Sequence, residues 1–154
     1  MKKNYIALFC IIIVCSCSKI NSFEKTFFFS KHEWDASVQP SFQFEISDTI
    51  AAYHIYVVVR HEDSYHYSNL WLNINTIAPR EKINTQKVNL QLANNTSGWL
   101  GSGMDDIFDH RIRITKLPIH LKKGVYQFSL QQIMREDPLR AVLNAGIRVE
   151  KISQ

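Results

Sequence analysis

Apolar residues recur at every second position along most of this 154-residue chain, and that spacing is typical of half-buried β-strands. Phe42, Phe44 and Ile46, for example, alternate with polar residues. One face of such a strand packs on a core while the other meets water, because successive side chains point to opposite faces. The same alternation recurs in the segments 70–74, 88–92, 112–114, 126–130 and 147–149.

The spacing of these segments predicts an all-β fold. Segment 52–60 is apolar or aromatic on both faces, which predicts a central strand. Asp137 followed by Pro138 is a favourable helix start, and the apolar spacing after it predicts a short helix over 138–143. We therefore predict an antiparallel β-sandwich of about seven or eight strands with one short helix before the last strand, with a closed barrel as the alternative. The predicted core residues are Phe42, Phe44, Val57, Val59, Leu90, Ile112, Ile114, Tyr126, Phe128, Leu130, Ile147 and Val149.

The first sixteen residues have the features of a signal peptide. Lys2 and Lys3 are followed by an apolar run over 6–14, which is too short to span a bilayer, since a spanning helix needs about 20 residues. The run closes on Val14-Cys15-Ser16-Cys17, which resembles the lipobox of bacterial lipoproteins. In that motif, cleavage exposes a cysteine that carries the lipid. An ordinary secretory signal or a short N-terminal anchor is the alternative.

This interpretation divides the chain into three parts. Residues 1–16 form the signal peptide, 17–25 a lipid-anchored tether that begins at Cys17, and 26–154 the β-sandwich domain. Segment 18–21 has no acidic residue, whereas in some bacteria the lipoproteins exported to the cell surface tend to carry acidic residues directly after the cysteine. We therefore expect attachment to the outer membrane, facing the periplasm.

Cysteine and charge content narrow the function classes. The chain has three cysteines, Cys10, Cys15 and Cys17, so the mature protein keeps one thiol, which the lipid would consume. A disulfide framework or a cysteine zinc site is thereby excluded from the mature chain. Removal of Lys2 and Lys3 with the signal lowers the formal net charge from +4 to +2. No basic stripe is visible, so we expect no nucleic-acid partner.

Three blocks of sequence carry a resemblance to a known family. They are 56–70 (YVVVRHEDSYHYSNL), 98–109 (GWLGSGMDDIFD) and 124–151 (GVYQFSLQQIMREDPLRAVLNAGIRVEK). Together with Trp34 and the lipobox, their order and spacing resemble the gliding-motility lipoprotein GldH family of the Bacteroidota. The resemblance implies an accessory lipoprotein of the gliding and type IX secretion machinery that acts through protein contacts. It supplies no catalytic residues.

The segment 60–69 contains the most plausible metal ligands of the chain. His61, Asp63 and His66 could together offer imidazole and carboxylate groups, which suit zinc. The plainer interpretation, which we favour, is a polar hairpin loop whose Tyr65 and Tyr67 pack on the end of the sandwich. We therefore assign no metal and no cofactor. In 98–109, three aspartates follow a glycine-rich turn, but they lack the alternating ligands of a calcium loop. We interpret this segment as a tight polar turn.

No combination of residues indicates catalysis. Serine does not occur in a Gly-x-Ser-x-Gly context, and the paired carboxylates are sequence neighbours with capping or loop roles open to them. We therefore expect a protein that is not an enzyme.

Two function classes remain, and both rely on aromatic side chains. In the first, a contact-making envelope protein docks through Tyr65, Tyr67, Trp99 and Arg135, on loops of a rigid scaffold. The favoured alternative for Arg135 is a structural role, in which it holds its corner of the chain through a carboxylate. In the second, a glycan- or metal-binding sandwich uses Trp71 with the same three rings as a platform. Exposure of two or more coplanar rings would favour the glycan class. The sequence leaves open whether Trp99 is an exposed contact or part of the core.

Overall fold

A computed structural model describes residues 22–152 of the chain, and every regular element in that range is a β-strand. Eight of the fourteen strands are six residues or longer. None of the described residues form a helix that is long and apolar enough to cross a membrane. The strands are β1 (Ser22–Phe28), β2 (Glu33–Trp34), β3 (Ser41–Ile46), β4 (Ala52–Glu62), β5 (Asn69–Ile77), β6 (Asn84–Gln91), β7 (Ala93–Asn94), β8 (Gly98–Trp99), β9 (Ser102–Met104), β10 (Ile107–Arg113), β11 (Ile119–His120), β12 (Gly124–Gln132), β13 (Leu139–Arg140) and β14 (Val142–Lys151).

The strands form two main antiparallel sheets. The larger has the order β1-β14-β4-β10-β9, with β11 also paired to β4, and the smaller has the order β3-β12-β5-β6. Two short ribbons, β13-β2 and β7-β8, complete the fold. The prediction of an all-β antiparallel structure is confirmed. The strand predicted to be central, β4, indeed lies inside the larger sheet, between β14 and β10.

The core lies where the inward faces of the two sheets meet. Phe44 stacks on Tyr126 and on Phe128, with ring centroids 5.5 and 5.6 Å apart. Ten of the twelve predicted core residues are buried. Ile112 and Ile114 are only partly buried, because β9 pairs with the first residues of β10 alone and leaves the rest of that strand at the sheet edge.

The predicted helix over 138–143 is wrong. Leu139 belongs to β13 and pairs with Trp34, while Val142 starts β14 and pairs with His61. Leu139 and Val142 are fully buried, so their helix-like spacing reflects two short strand segments joined at Ala141, whose φ of 61° interrupts the extended backbone. The carboxylate predicted to cap a helix, that of Asp137, instead accepts a hydrogen bond from the Ala36 amide at 2.8 Å.

The number of strands is also higher than the predicted seven or eight. The six additional strands are two or three residues long, and so short a segment cannot display an alternating pattern.

The N-terminal part of the domain starts earlier than the sequence predicted. Residues 22–25, assigned to the tether, belong to β1 and pair with β14. There Glu24 accepts hydrogen bonds from Arg111 and Arg148, at 2.8 and 3.1 Å, which secures β1 to the sheet. The predicted signal peptide and Cys17 lie outside the described residues.

Candidate contact site at one end of the sandwich

The two loops singled out by the sequence lie against each other at one end of the fold. The Trp99 indole donates a hydrogen bond to the Asp63 carboxylate at 2.7 Å. The Asp63 amide in turn donates to the Asp106 carbonyl at 2.7 Å. These contacts join the end of β4 to the β7-β8 and β9-β10 ribbons. We refer to this region, residues 60–67 and 98–110, as the loop end.

A buried histidine pair lies at the base of the loop end. The Nε2 atoms of His61 and His110 are 2.9 Å apart, and both side chains are shielded from solvent. His61 Nδ1 lies 2.8 Å from the Glu62 carbonyl oxygen, which can only accept. His61 therefore carries its proton on Nδ1, and its Nε2 accepts the hydrogen bond that His110 donates.

Both histidines are held in the neutral form. Burial lowers the pKa of His61. Burial, with a further contribution from neighbouring His61, lowers the pKa of His110 to about 4. A second proton would bring two N–H groups face to face and place a charge where little water can reach it.

Aromatic rings enclose His61 on several sides. Its ring centroid lies 4.4 Å from that of Trp99, 5.2 Å from that of Tyr65 and 5.7 Å from that of Phe108. Gly101 covers His110 so closely that a Cβ atom there would lie 2.8 Å from the imidazole Nε2. The loop end is therefore a packed unit whose backbone position depends on these rings.

An open cavity of about 880 Å³ lies beside this unit. It is lined by five carboxylate residues, by Arg60 and by the apolar side chains of Met104 and Ile107. Arg60 forms a two-point ion pair with Asp109, with both distances at 2.8 Å, and this bond lowers the pKa of Asp109. Met104 is 78% exposed at the rim.

The residues predicted as contacts divide between two places. Tyr65 is only 4% exposed and donates its hydroxyl proton to the Asn69 carbonyl, so it supports the loop from inside. Trp99 is partly buried against the core. Tyr67 and Arg135 instead line a separate cavity of about 340 Å³ together with Trp71. The platform of four exposed rings considered for glycan binding is therefore not formed.

The possible metal ligands are not brought together as a site. His61 bonds to His110, Asp63 accepts from Trp99, and His66 is exposed on the loop. Within residues 22–152, no three His, Cys, Asp or Glu side chains are grouped so that they could hold a metal ion.

Sequence reasoning overlooked His110 and Phe108, two of the residues that shape the loop end. They fell in or next to a segment interpreted as a turn, whereas β10 already begins at Ile107. The available signal was the alternation of Phe108, His110, Ile112 and Ile114, which extends the predicted strand by four residues.

The fold defines an antiparallel β-sandwich protein whose loops pack tightly at one end. The chain belongs to the GldH lipoprotein family, whose sequence profile matches residues 21–149. It is 26% identical over 154 residues to a "Gliding motility lipoprotein GldH homolog" of Christiangramia forsetii, covering 96% of this chain and 94% of the relative. It is 23% identical over 158 residues to the "Gliding motility lipoprotein GldH" of Flavobacterium johnsoniae, covering 98% of each. Membership in a lipoprotein family supports the predicted membrane anchor.

Proposed function

We propose that this protein is a non-enzymatic outer-membrane lipoprotein, required for gliding motility and associated type IX secretion, and that it acts through protein contacts. The observation that carries the proposal is the family match over nearly the whole domain, together with two relatives named as gliding motility lipoproteins. The alignments cover 94% or more of this chain and of both relatives, which favours a shared role.

The lipid at Cys17 holds the domain at the membrane in this proposal. One acyl chain gives only marginal binding, so stable attachment needs the several chains that a lipoprotein cysteine carries. Only a short segment separates Cys17 from β1, which starts at Ser22. The sandwich therefore stays close to the lipid surface. Its periplasmic orientation in this proposal rests on the absence of acidic residues in 18–21.

The loop end is the docking surface in this proposal. Loops on a rigid scaffold often carry function, and here the His61–His110 pair and the Trp99–Asp63 bond hold two of them in place. The rim offers Met104 as an exposed apolar side chain beside carboxylates. An apolar anchor surrounded by polar groups is the usual arrangement at the centre of a protein contact.

Deletion of the gene in a motile host, followed by complementation, tests this function. We expect the deletion to abolish spreading on agar and to reduce type IX secretion, and the unaltered gene to restore both. Met104→Ala should restore less spreading than the matched control Ile50→Ala, since Ile50 is 80% exposed but lies outside the loop end. A deletion strain that glides normally would refute the motility role. Equal spreading by the two variants would refute the docking surface alone.

A further inference from the structure

The two sheets present outer faces of different chemistry. On the larger sheet, charged side chains bond to each other across strands. Arg111 forms a two-point contact with Glu24, at 2.8 and 3.0 Å, and Arg148 contacts both Glu24 and Glu150, at 3.1 and 3.2 Å. This face is an ionic network whose members already neutralise one another.

The outer face of the smaller sheet is nearly uncharged. Of its sixteen outward-pointing positions on β3, β12, β5 and β6, eight are Asn or Gln, three are Ser or Thr, and only Glu45 and Lys87 are charged. The amide and hydroxyl residues are Ser41, Gln43, Asn69, Asn73, Asn75, Thr85, Asn89, Gln91, Gln127, Ser129 and Gln131. We refer to these residues, with Trp71, as the amide face.

Cross-strand hydrogen bonds hold the amide face in order. Gln43 donates to Gln127 at 3.1 Å, Gln127 donates to Ser41 at 3.0 Å, and Asn73 donates to Gln131 at 3.2 Å. A side-chain amide has two donor hydrogens and two acceptor lone pairs. Each bond therefore fixes a side chain and leaves further donors and acceptors directed to solvent. Such a surface loses little conformational entropy when it binds a ligand.

Trp71 gives one end of the amide face an aromatic side chain. Its side chain is 37% exposed and borders the cavity of about 340 Å³ that Tyr67 and Arg135 also line. The Lys87 ammonium lies 5.0 Å from the centroid of the indole ring. This contact orients the ring and reduces the demand of the lysine for another partner. A partly exposed indole, with the Lys87 ammonium over its ring, thus continues the row of amides.

We propose that the amide face binds an uncharged polysaccharide strand, with one sugar ring on or beside Trp71. Charge complementarity selects this ligand, because the face has one positive and one negative side chain among sixteen positions. Along the strands a polyanion would meet almost no countercharge, because the positive side chains of Lys87 and Arg135 lie only beside Trp71. Sugar hydroxyl and acetamido groups, in contrast, pair with amides in both directions. The apolar side of a sugar ring matches an indole, which provides a large contact area with few rotatable bonds. This role is separate from docking at the loop end.

Titration calorimetry on the full lipoprotein tests this binding, in a detergent without a sugar headgroup. The probes are cellohexaose and the hexamer of N-acetylglucosamine, with hexagalacturonate as the acidic comparison. We expect at least one neutral hexamer to bind with little dependence on salt. Trp71→Ala should weaken binding about tenfold, a change of about 1.4 kcal/mol. Asn73→Ala should weaken it less, and Phe28→Ala should leave it unchanged, because Phe28 is 54% exposed on the larger sheet.

Three results would overturn the proposal. The first is an absence of heat with both neutral hexamers while the protein is folded. The second is binding of hexagalacturonate alone that salt abolishes, which would indicate a positively charged site for anions. The third is equal affinity of the unaltered protein, Trp71→Ala and Asn73→Ala. If neither neutral hexamer binds, and sedimentation shows self-association that Trp71→Ala abolishes, the amide face binds a second copy of the chain instead.

Discussion

The imidazoles of His61 and His110 share one hydrogen bond of 2.9 Å between β4 and β10, in the interior of the loop end. The groups around the pair are Tyr65, Trp99 and Phe108, with the charged side chains of Asp63 and Asp109 at its margin. Only one arrangement of tautomers allows His61 to donate to the Glu62 carbonyl and to accept from His110 at the same time. The stability of this region should therefore respond to proton concentration.

The free energy of unfolding should fall as the pH drops from 7 to 4. Burial lowers the pKa of His110 from 6.5 to about 4. Between these pH values the unfolded chain is protonated at His110 and the folded protein is not, which favours unfolding. The stabilisation is complete above pH 6.5 and is lost as the pH approaches 4. This difference in pKa corresponds to a loss of about 3 kcal/mol in the free energy of unfolding. Urea unfolding followed by circular dichroism at several pH values measures this.

Replacement of His110 separates its contribution to the pH dependence of stability from the contribution of the carboxylates. His110→Leu should lose less stability between pH 7 and 4 than the unaltered protein does. The exposed His66 provides the control, and His66→Gln should retain the original pH dependence. The same pH dependence in His110→Leu and the unaltered protein would show that the pair does not govern stability in acid.

Loss of the indole hydrogen bond should loosen the loop end. Trp99→Phe keeps a ring against His61 but removes the donor to Asp63, a bond of 2.7 Å to a charged acceptor. We expect a cost of about 1–2 kcal/mol in the free energy of unfolding, together with faster amide hydrogen exchange at Asp63. Trp71→Phe removes an indole on the amide face and should change neither quantity. Unchanged exchange at Asp63 in Trp99→Phe would contradict the expectation.

The centre of the sandwich should be the most sensitive part of the fold. Phe128 is 3% exposed and stacks on Phe44, so Phe128→Ala leaves a cavity between the sheets. We expect a loss of about 3–5 kcal/mol in the free energy of unfolding. Val125→Ala on the same strand is the control, because Val125 is 53% exposed, and its effect should stay below about 0.5 kcal/mol. Similar losses in both variants would place Phe128 outside the core.

Period-two spacing made the long strands and most of the core predictable. Phe42 and Phe44, for example, could be placed in the core because alternation alone decides which face of a strand is buried. Ala141 shows the limit of such reasoning. Its left-handed backbone conformation separates β13 from β14. The apolar residues of these two strands therefore have a spacing that resembles that of a helix.

The loop end was harder to predict than the sheets. His61 and His110 are 49 positions apart, and only the pairing of β4 with β10 brings them together. The sequence left open whether Tyr65 is a docking contact or packs on the end of the sandwich. Its ring is buried, because an aromatic residue in a polar loop can pack inward. The amide face was likewise invisible as a unit, since its residues come from four strands.

The position of the lipid anchor can be tested by substitution of the two neighbouring cysteines. Cys17→Ser should release the protein into the soluble periplasmic fraction or leave it as an uncleaved precursor, because serine cannot carry the thioether-linked lipid. Cys15→Ser is the matched control and should remain processed and membrane-bound, since Val14 before Cys15 makes it the poorer cleavage site. Fractionation with immunoblotting and mass measurement of the mature N-terminus distinguish these outcomes. If Cys17→Ser stays both processed and membrane-bound, the anchor is not at Cys17.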